Sequence, residues 1–301
     1  MSTVVAAIAA AAVSILFPAP VVAVASDGPY VAVAEGRSAR DCDRVSIWIT
    51  SLHRVVKLGR TTSCETTSTG SGIAGVTIAR DRALWLHYAG GNIREWSLWT
   101  ATTTSRTPRR LAFATSEPDA PAPIVIGGGD LDRRGDQDVL PYAVGRTVVV
   151  LTAKGSRSFT WVAPAPVTAL DSEPGLLTVA VEDGRIFVLA DGHVVRTYSG
   201  TTAATSVGFA GNGILAAQRG RTLEVVSSDT GTQRTSLRVG ERAVLGSGCC
   251  ALLLYRARIQ VRRLGGGAPV VNVAGTAAAI DYHRFTYASG RRVTTRFLFA
   301  P

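Results

Sequence analysis

Residues Val167 to Gly200 read VTALDSEPG, LLTVAVEDG, RIFVLADG, HVVRTYSG. Each piece is a short run of apolar and β-branched residues, and glycine-bearing turns separate them. This is the pattern of four short strands joined by tight connections. The next stretch, Ala203 to Gly240, follows the same plan, with ILAAQRG and RTLEVVSSDTG as its middle pieces. Working outward in both directions, six or seven units of about forty residues fill the chain.

Unit one runs from Val21 to Thr69 (YVAVAEG, RVSIWIT, HRVVKLG). Unit two runs from Gly70 to Thr115 (GIAGVTIA, RALWLHYAG, EWSLWTATTT), and unit three starts near Pro123 after the linker EPDAPAP. Unit six spans Arg242 to Thr276, and the remainder, AAAIDY, HRFTYASG, RRVTTRFLFAP, supplies three strands. No stretch beyond the N-terminal region carries a helical apolar period. A four-stranded unit repeated in this way cannot bury its faces alone, so the units must pack around a common axis. The expected fold is all-β: a β-propeller of four-stranded blades, seven in number, with six plus a partial blade as the alternative. The last unit is one strand short. A strand from the other end of the chain would complete it, and the segment around Val21 to Ala25 is the expected donor.

The chain has 301 residues, 46% of them hydrophobic, which is enough for a full core. Its formal net charge is +10, and apart from Lys57 and Lys154 the cations are arginines. These arginines are scattered and not interleaved with stacking aromatics, which argues against nucleic-acid binding. From Met1 to Ala25 there is no charged side chain, and Val22-Ala23-Val24-Ala25 ends the stretch in small residues. Residues 1–25 therefore read as a signal peptide cut after Ala25 or as an apolar anchor. Residues 26–301 then form a single propeller domain, secreted or held at the cell envelope. The alternative for 1–25 is an N-terminal strand of the ring. Cys42 and Cys64 flank one hairpin and are expected to pair as a disulfide in an oxidising compartment. Cys249-Cys250 read as buried thiols, with a strained vicinal disulfide or a redox switch as the alternatives.

VSIWIT with Trp48 and WSLWTATTT with Trp99 resemble the third strand of a WD-repeat blade, which closes on Trp-Asp. Ile49 and Thr100 stand where that pattern has Asp, and no Gly-His pair opens the units. The chain thus resembles a WD-like or quinoprotein-like propeller of a secreted bacterial, actinobacterial family. The resemblance implies a fold and no activity.

Three sets of residues bear on chemistry. Asp130, Asp132 and Asp138, in GGGDLDRRGDQDVLPY, resemble the first, third and ninth ligands of the calcium loops in FG-GAP repeats; Arg134 occupies the fifth, where it repels an ion. No other cofactor is expected. Trp85, His87, Tyr88, Arg94, Glu95 and Trp96 form an aromatic-polar group in unit two that either binds a ligand or packs between blades. His53, His87, His193 and His283 fall in different units, and no G-x-S-x-G or H-E-x-x-H is present. The expected function is a non-catalytic binding scaffold for a protein or cell-envelope polymer, monomeric, touching membrane only through its N-terminus. The alternatives are an enzyme with a dispersed central-channel site (a lactonase-like hydrolase or quinoprotein) and an envelope-anchored structural protein.

Overall fold

The computed structural model describes residues 12–36, 43–59, 70–128, 138–173, 175–209, 214–227, 230, 233–239, 242–246, 250–255, 257–263, 268–281 and 284–298. Strand β1 (Val13–Leu16) comes first. Blade one holds β2 (Val21–Asp27), β3 (Tyr30–Glu35), β4 (Arg44–Ile49) and β5 (Arg54–Lys57). Blade two holds β6 (Ser71–Ala79), β7 (Arg82–Gly90), β8 (Arg94–Thr102) and β9 (Arg109–Ser116). Blade three holds β10 (Ile124–Ile126), β11 (Val139–Val144), β12 (Thr147–Thr152) and β13 (Arg157–Val162). Blade four, the stretch first quoted, holds β14 (Val167–Glu173), β15 (Leu176–Val181), β16 (Ile186–Ala190) and β17 (His193–Tyr198). Blade five holds β18 (Ser206–Phe209), β19 (Ile214–Arg219), β20 (Thr222–Ser227) and β21 (Gln233–Arg238). Blade six holds β22 (Arg242–Gly246), β23 (Cys250–Tyr255), β24 (Arg258–Arg263) and β25 (Val271–Ala274). Blade seven holds β26 (Ala277–Asp281), β27 (Arg284–Ser289) and β28 (Arg292–Phe297), and β1 is its fourth strand. All neighbours within a blade are antiparallel.

Each first strand touches the first strand of the next blade, from β2 through β6, β10, β14, β18 and β22 to β26, and β26 touches β2. The donor of the missing strand is β1, not the segment around Val21 to Ala25. Val13 to Leu16 pair with Thr295 to Arg292 of β28. Val21–Asp27 instead pairs with β3 as the innermost strand of blade one. The burial patterns give the reason. In β2, Val21 and Val24 are buried between blades, which an outermost strand does not offer; β1 alternates half-buried and exposed residues, as an edge requires. One apolar cluster then joins both ends of the chain: Phe17, Val21, Val24, Val31, Val33 and Trp48 with Ala277, Ala288 and Val293.

The second and third strands of a blade meet in a tight turn with a recurrent composition. Gly145, Gly184, Gly220 and Gly290 stand at the same place in four blades, all with positive φ. Gly184 has φ +90, and a Cβ there would lie 2.5 Å from the Gly200 carbonyl oxygen. Gly145 has φ +56 with nothing near. Alanine at 145 should therefore cost about 1 kcal/mol, from the left-handed backbone alone, and alanine at 184 about 2–3 kcal/mol, from strain and contact together. Urea unfolding midpoints of the two variants measure the gap; equal losses would mean that the Gly200 contact is absent.

Candidate functional site

Trp85 and Tyr88 are three residues apart on β7, so they point to opposite sides of blade two. Trp85 is buried toward blade one, among Ile47, Ile49 and Val56. Trp96, across from Tyr88, is buried toward blade three with Leu98, Ile124 and Leu140, and Tyr88 packs at that cluster's edge. The Trp96 indole N–H donates to Ser116 Oγ at 3.0 Å. His87 is 2% exposed, with Nε2 3.9 Å from Asp43 Oδ2, and burial pushes its imidazolium down to about 4. The Arg94 guanidinium lies 4.9 Å from the Tyr88 ring and 5.9 Å from that of Trp96. The six residues are therefore not one exposed aromatic platform. Trp85, His87 and Trp96 are inter-blade packing, and only Glu95, with parts of Tyr88 and Arg94, reaches the surface. His53 is exposed in the turn before β5, and His193 is exposed at the start of β17.

Of the aspartates in the loop after β10, Asp130 and Asp132 lie outside the described residues, as do Cys42, Cys64, Cys249 and His283. Asp138 is 2% exposed and ion-paired with Nε of Arg80, so a guanidinium sits on the carboxylate assigned to the ninth calcium position. Among the described residues, no group of three or more His, Cys, Asp or Glu is placed to hold a metal. Arg80 also donates its backbone N–H to Asp27 Oδ2, while Asp27 Oδ1 has no hydrogen-bond partner. Asp27 is 2% exposed. Burial is the main cause raising its carboxyl to about 7, and neighbouring Asp281 and Asp138 raise it further. Asp281 in turn accepts the Gly28 N–H at 2.7 Å, and Arg284 donates to the Gly28 carbonyl.

These acids mark one end of the channel. First strands end VASD, LDSE and AAID in blades one, four and seven, which places Asp27, Glu173 and Asp281 at corresponding positions, with Asp171 two residues before Glu173 on the same strand. The channel holds a cavity of about 310 Å³, lined by small residues such as Ala25, Gly75 and Ala278 and by Asp171, Ser172, Glu173 and Asp281. Ser172 Oγ donates to the Gly128 carbonyl at 2.6 Å. A Cβ on Gly128 would fall 2.3 Å from Asp171 Oδ1, so any side chain there would push the Asp171 carboxylate aside. No motif in the sequence marks these four acids. Their available signal was position within the repeat, since each closes or nearly closes a first strand.

The other end is basic. The residue at or just before the start of every third strand is arginine: Arg44, Arg94, Arg146, Arg185, Arg221, Arg258 and Arg291. Backbone bonds tie these turns to the starts of first strands, Val167 N–H to Gly145 O at 2.9 Å and Val21 N–H to Gly290 O at 2.8 Å. The arginine turns thus share the face where first strands begin, roughly 20 Å along the strands from the acids. Arg146 Nε donates to Ala163 O at 2.7 Å and Arg291 Nε to Phe17 O at 2.8 Å, so in both blades the guanidinium clasps the carbonyl just past the fourth strand.

No family model matches the chain, and no curated protein matches it. Solved structures do. A chain in the crystal structure of the mitotic checkpoint complex superposes with a TM-score of 0.63 at 13% identity, over 95% of this chain and 91% of that one. Raptor of Chaetomium thermophilum gives 0.61 at 12% identity, over 96% of this chain and 28% of that one. The fold is a WD40-like β-propeller. The computationally designed Ika8 protein is also similar, with a TM-score of 0.53 at 12% identity over 94% and 97% of the two chains. At such identities the likeness is one of architecture alone.

Proposed function

We propose that the protein is a non-catalytic binding scaffold, exported to the cell envelope or beyond, that takes a cationic side chain of a partner protein at the acidic mouth of its channel. The convergence of Asp171, Glu173 and Asp281 from blades four and seven on one cavity carries this reading. A lysine or arginine from a partner would replace lost solvation with charge-assisted hydrogen bonds. Export is supported only by the uncharged, apolar residues ahead of β1, the part of the opening stretch that a signal cleavage compatible with the fold would remove. The test is calorimetry with an arginine-rich peptide at pH 8. The native chain should bind with an affinity that falls as salt rises, and Asp171→Asn with Asp281→Asn together should weaken it at least tenfold. Equal binding by the double variant would place the contact elsewhere and sink the proposal.

One observation favours a second reading, an enzyme with its site in the channel. Burial raises the Asp27 carboxyl to about 7, a range that suits a general acid–base residue. Asp27 accepts the Arg80 N–H, and its chain neighbour Gly28 donates to Asp281 at the acidic end of the channel. In that case hydrolysis of a lactone or ester would show an inflection near pH 7 that Asp27→Asn abolishes. No turnover by the native chain would leave the scaffold reading in place.

A further inference from the structure

We propose that the arginine-bearing face docks peripherally on an anionic lipid bilayer. This rests on the envelope half of the reading above, and it concerns the opposite end of the channel from the acidic mouth. Three of the most exposed apolar side chains stand beside these arginines. Leu16, 63% exposed, pairs with Arg292 next to Arg291. Ile93, 55% exposed, directly precedes Arg94. Val162, 61% exposed, pairs with Thr147 next to Arg146.

Arginines alone would suit any polyanion, and scattered surface leucines and valines need no explanation. The combination is more specific. Guanidinium groups at the level of lipid phosphates with apolar tips reaching below them is how a protein rests on a charged membrane without spanning it. The aromatics that would stack on nucleic-acid bases are packed between blades, as Trp85 and Trp96 are. Among the described residues the acids at the same turns are Glu35 and Asp43, both buried, and the exposed Glu95, Glu182 and Asp183, against seven arginines. Asp183 is ion-paired with Arg185, which therefore contributes least. No helix among the described residues is long and apolar enough to cross a membrane, and surface docking does not need one.

The experiment is co-sedimentation of the full chain with phosphatidylcholine vesicles, with and without one-third phosphatidylglycerol. Binding should require the anionic lipid and weaken as salt rises. Arg221→Gln with Arg258→Gln should reduce it about thirtyfold, a factor of about five per arginine. These two are chosen because Arg146 and Arg291 clasp backbone carbonyls. Ile93→Ser with Val162→Ser should reduce the binding that persists at high salt. Unchanged circular-dichroism melts establish that the variants fold. Asp171→Asn with Asp281→Asn should bind vesicles as well as the native chain, which separates this face from the acidic mouth. Equal binding to neutral vesicles, or full binding by the double-arginine variant, overturns the proposal. So does binding to polyglutamate or duplex DNA without binding to vesicles.

Discussion

A chain that begins at Ser26 will fail to hold the native fold, whereas one that begins at Ala12 keeps β1 and all of β2 and will hold it. Cutting after Ala25 removes all of β1, which leaves β28 an unpaired outer edge, and five of the seven residues of β2. It also removes Phe17, Val21 and Val24, buried to 2%, 3% and 8% exposure in the cluster that joins the first and last blades. At about 2 kcal/mol for each such side chain, their loss is on the order of 6 kcal/mol, comparable with the whole stability of an ordinary domain. A further contact is lost at Glu35, which is 3% exposed and accepts the Ala19 N–H and the Ser46 hydroxyl, both at 3.3 Å. Thermal melts and gel filtration of the two truncations decide the matter. If the Ser26 chain melts with the full-length protein, the β1–β28 pairing contributes nothing to stability. N-terminal sequencing of exported protein is the companion measurement. A signal cleavage compatible with this fold must fall before Val13, so a folded mature chain starting at Ser26 would overturn the account of how the first and last blades join.

The second large effect concerns pH. Asp27 is raised from an ordinary 3.8 to about 7 by burial first, opposed by the Arg80 N–H and reinforced by Asp281 and Asp138. Between those values the folded state holds a proton that the unfolded state has released, so this group makes stability fall as pH rises from about 4 to about 7. His87 acts in the opposite sense. Burial lowers it from 6.5 to about 4, so between those values the unfolded state holds the extra proton and stability rises with pH. The two nearly offset each other from about pH 4 to 6.5, and a shallow profile is expected for the native chain over that range. Single variants should uncover the halves. Asp27→Asn keeps an acceptor for the Arg80 N–H and should stabilise the protein at pH 8 by up to on the order of 4 kcal/mol, with little change at pH 4. Its stability should then climb between pH 4 and 6.5. His87→Asn should instead lose stability steadily from pH 4 to 7. Denaturant titrations at pH 4, 6 and 8 test both signs, and parallel profiles for the two variants would refute the assignment. The charged groups around Asp27 are Arg80, Asp138, Asp281 and Arg284, so shifts of the whole profile with salt should be modest at so buried a cluster.

Much of the architecture was legible because it is local. A strand of five or six residues with a glycine turn is encoded within the strand itself, and the four pieces of Val167 to Gly200 became β14 to β17 almost residue for residue. The number of units likewise became seven sheets. The candidate site was less legible. Trp85, His87, Tyr88 and Trp96 cluster in sequence, but the two-residue period of a strand sends them to different sides of blade two. Which sides are covered depends on blades one and three. The donor strand was misplaced for a similar reason, since two neighbouring apolar stretches, Val13–Leu16 and Val21–Asp27, both suit a strand. Only the partners across the sheet, β28 for one and β3 for the other, separate edge from centre.

By itself, then, the sequence determined the repeating unit, its turns and its number, because backbone conformation and apolar alternation act over a few residues. It also carried the arginine before each third strand and the acid near the end of three first strands, though as single letters forty residues apart. Only the tertiary structure made these into two opposed ends of one channel. Packing seven copies around an axis turns a position in the repeat into a place on a face, and that step depends on contacts between blades which no one blade encodes.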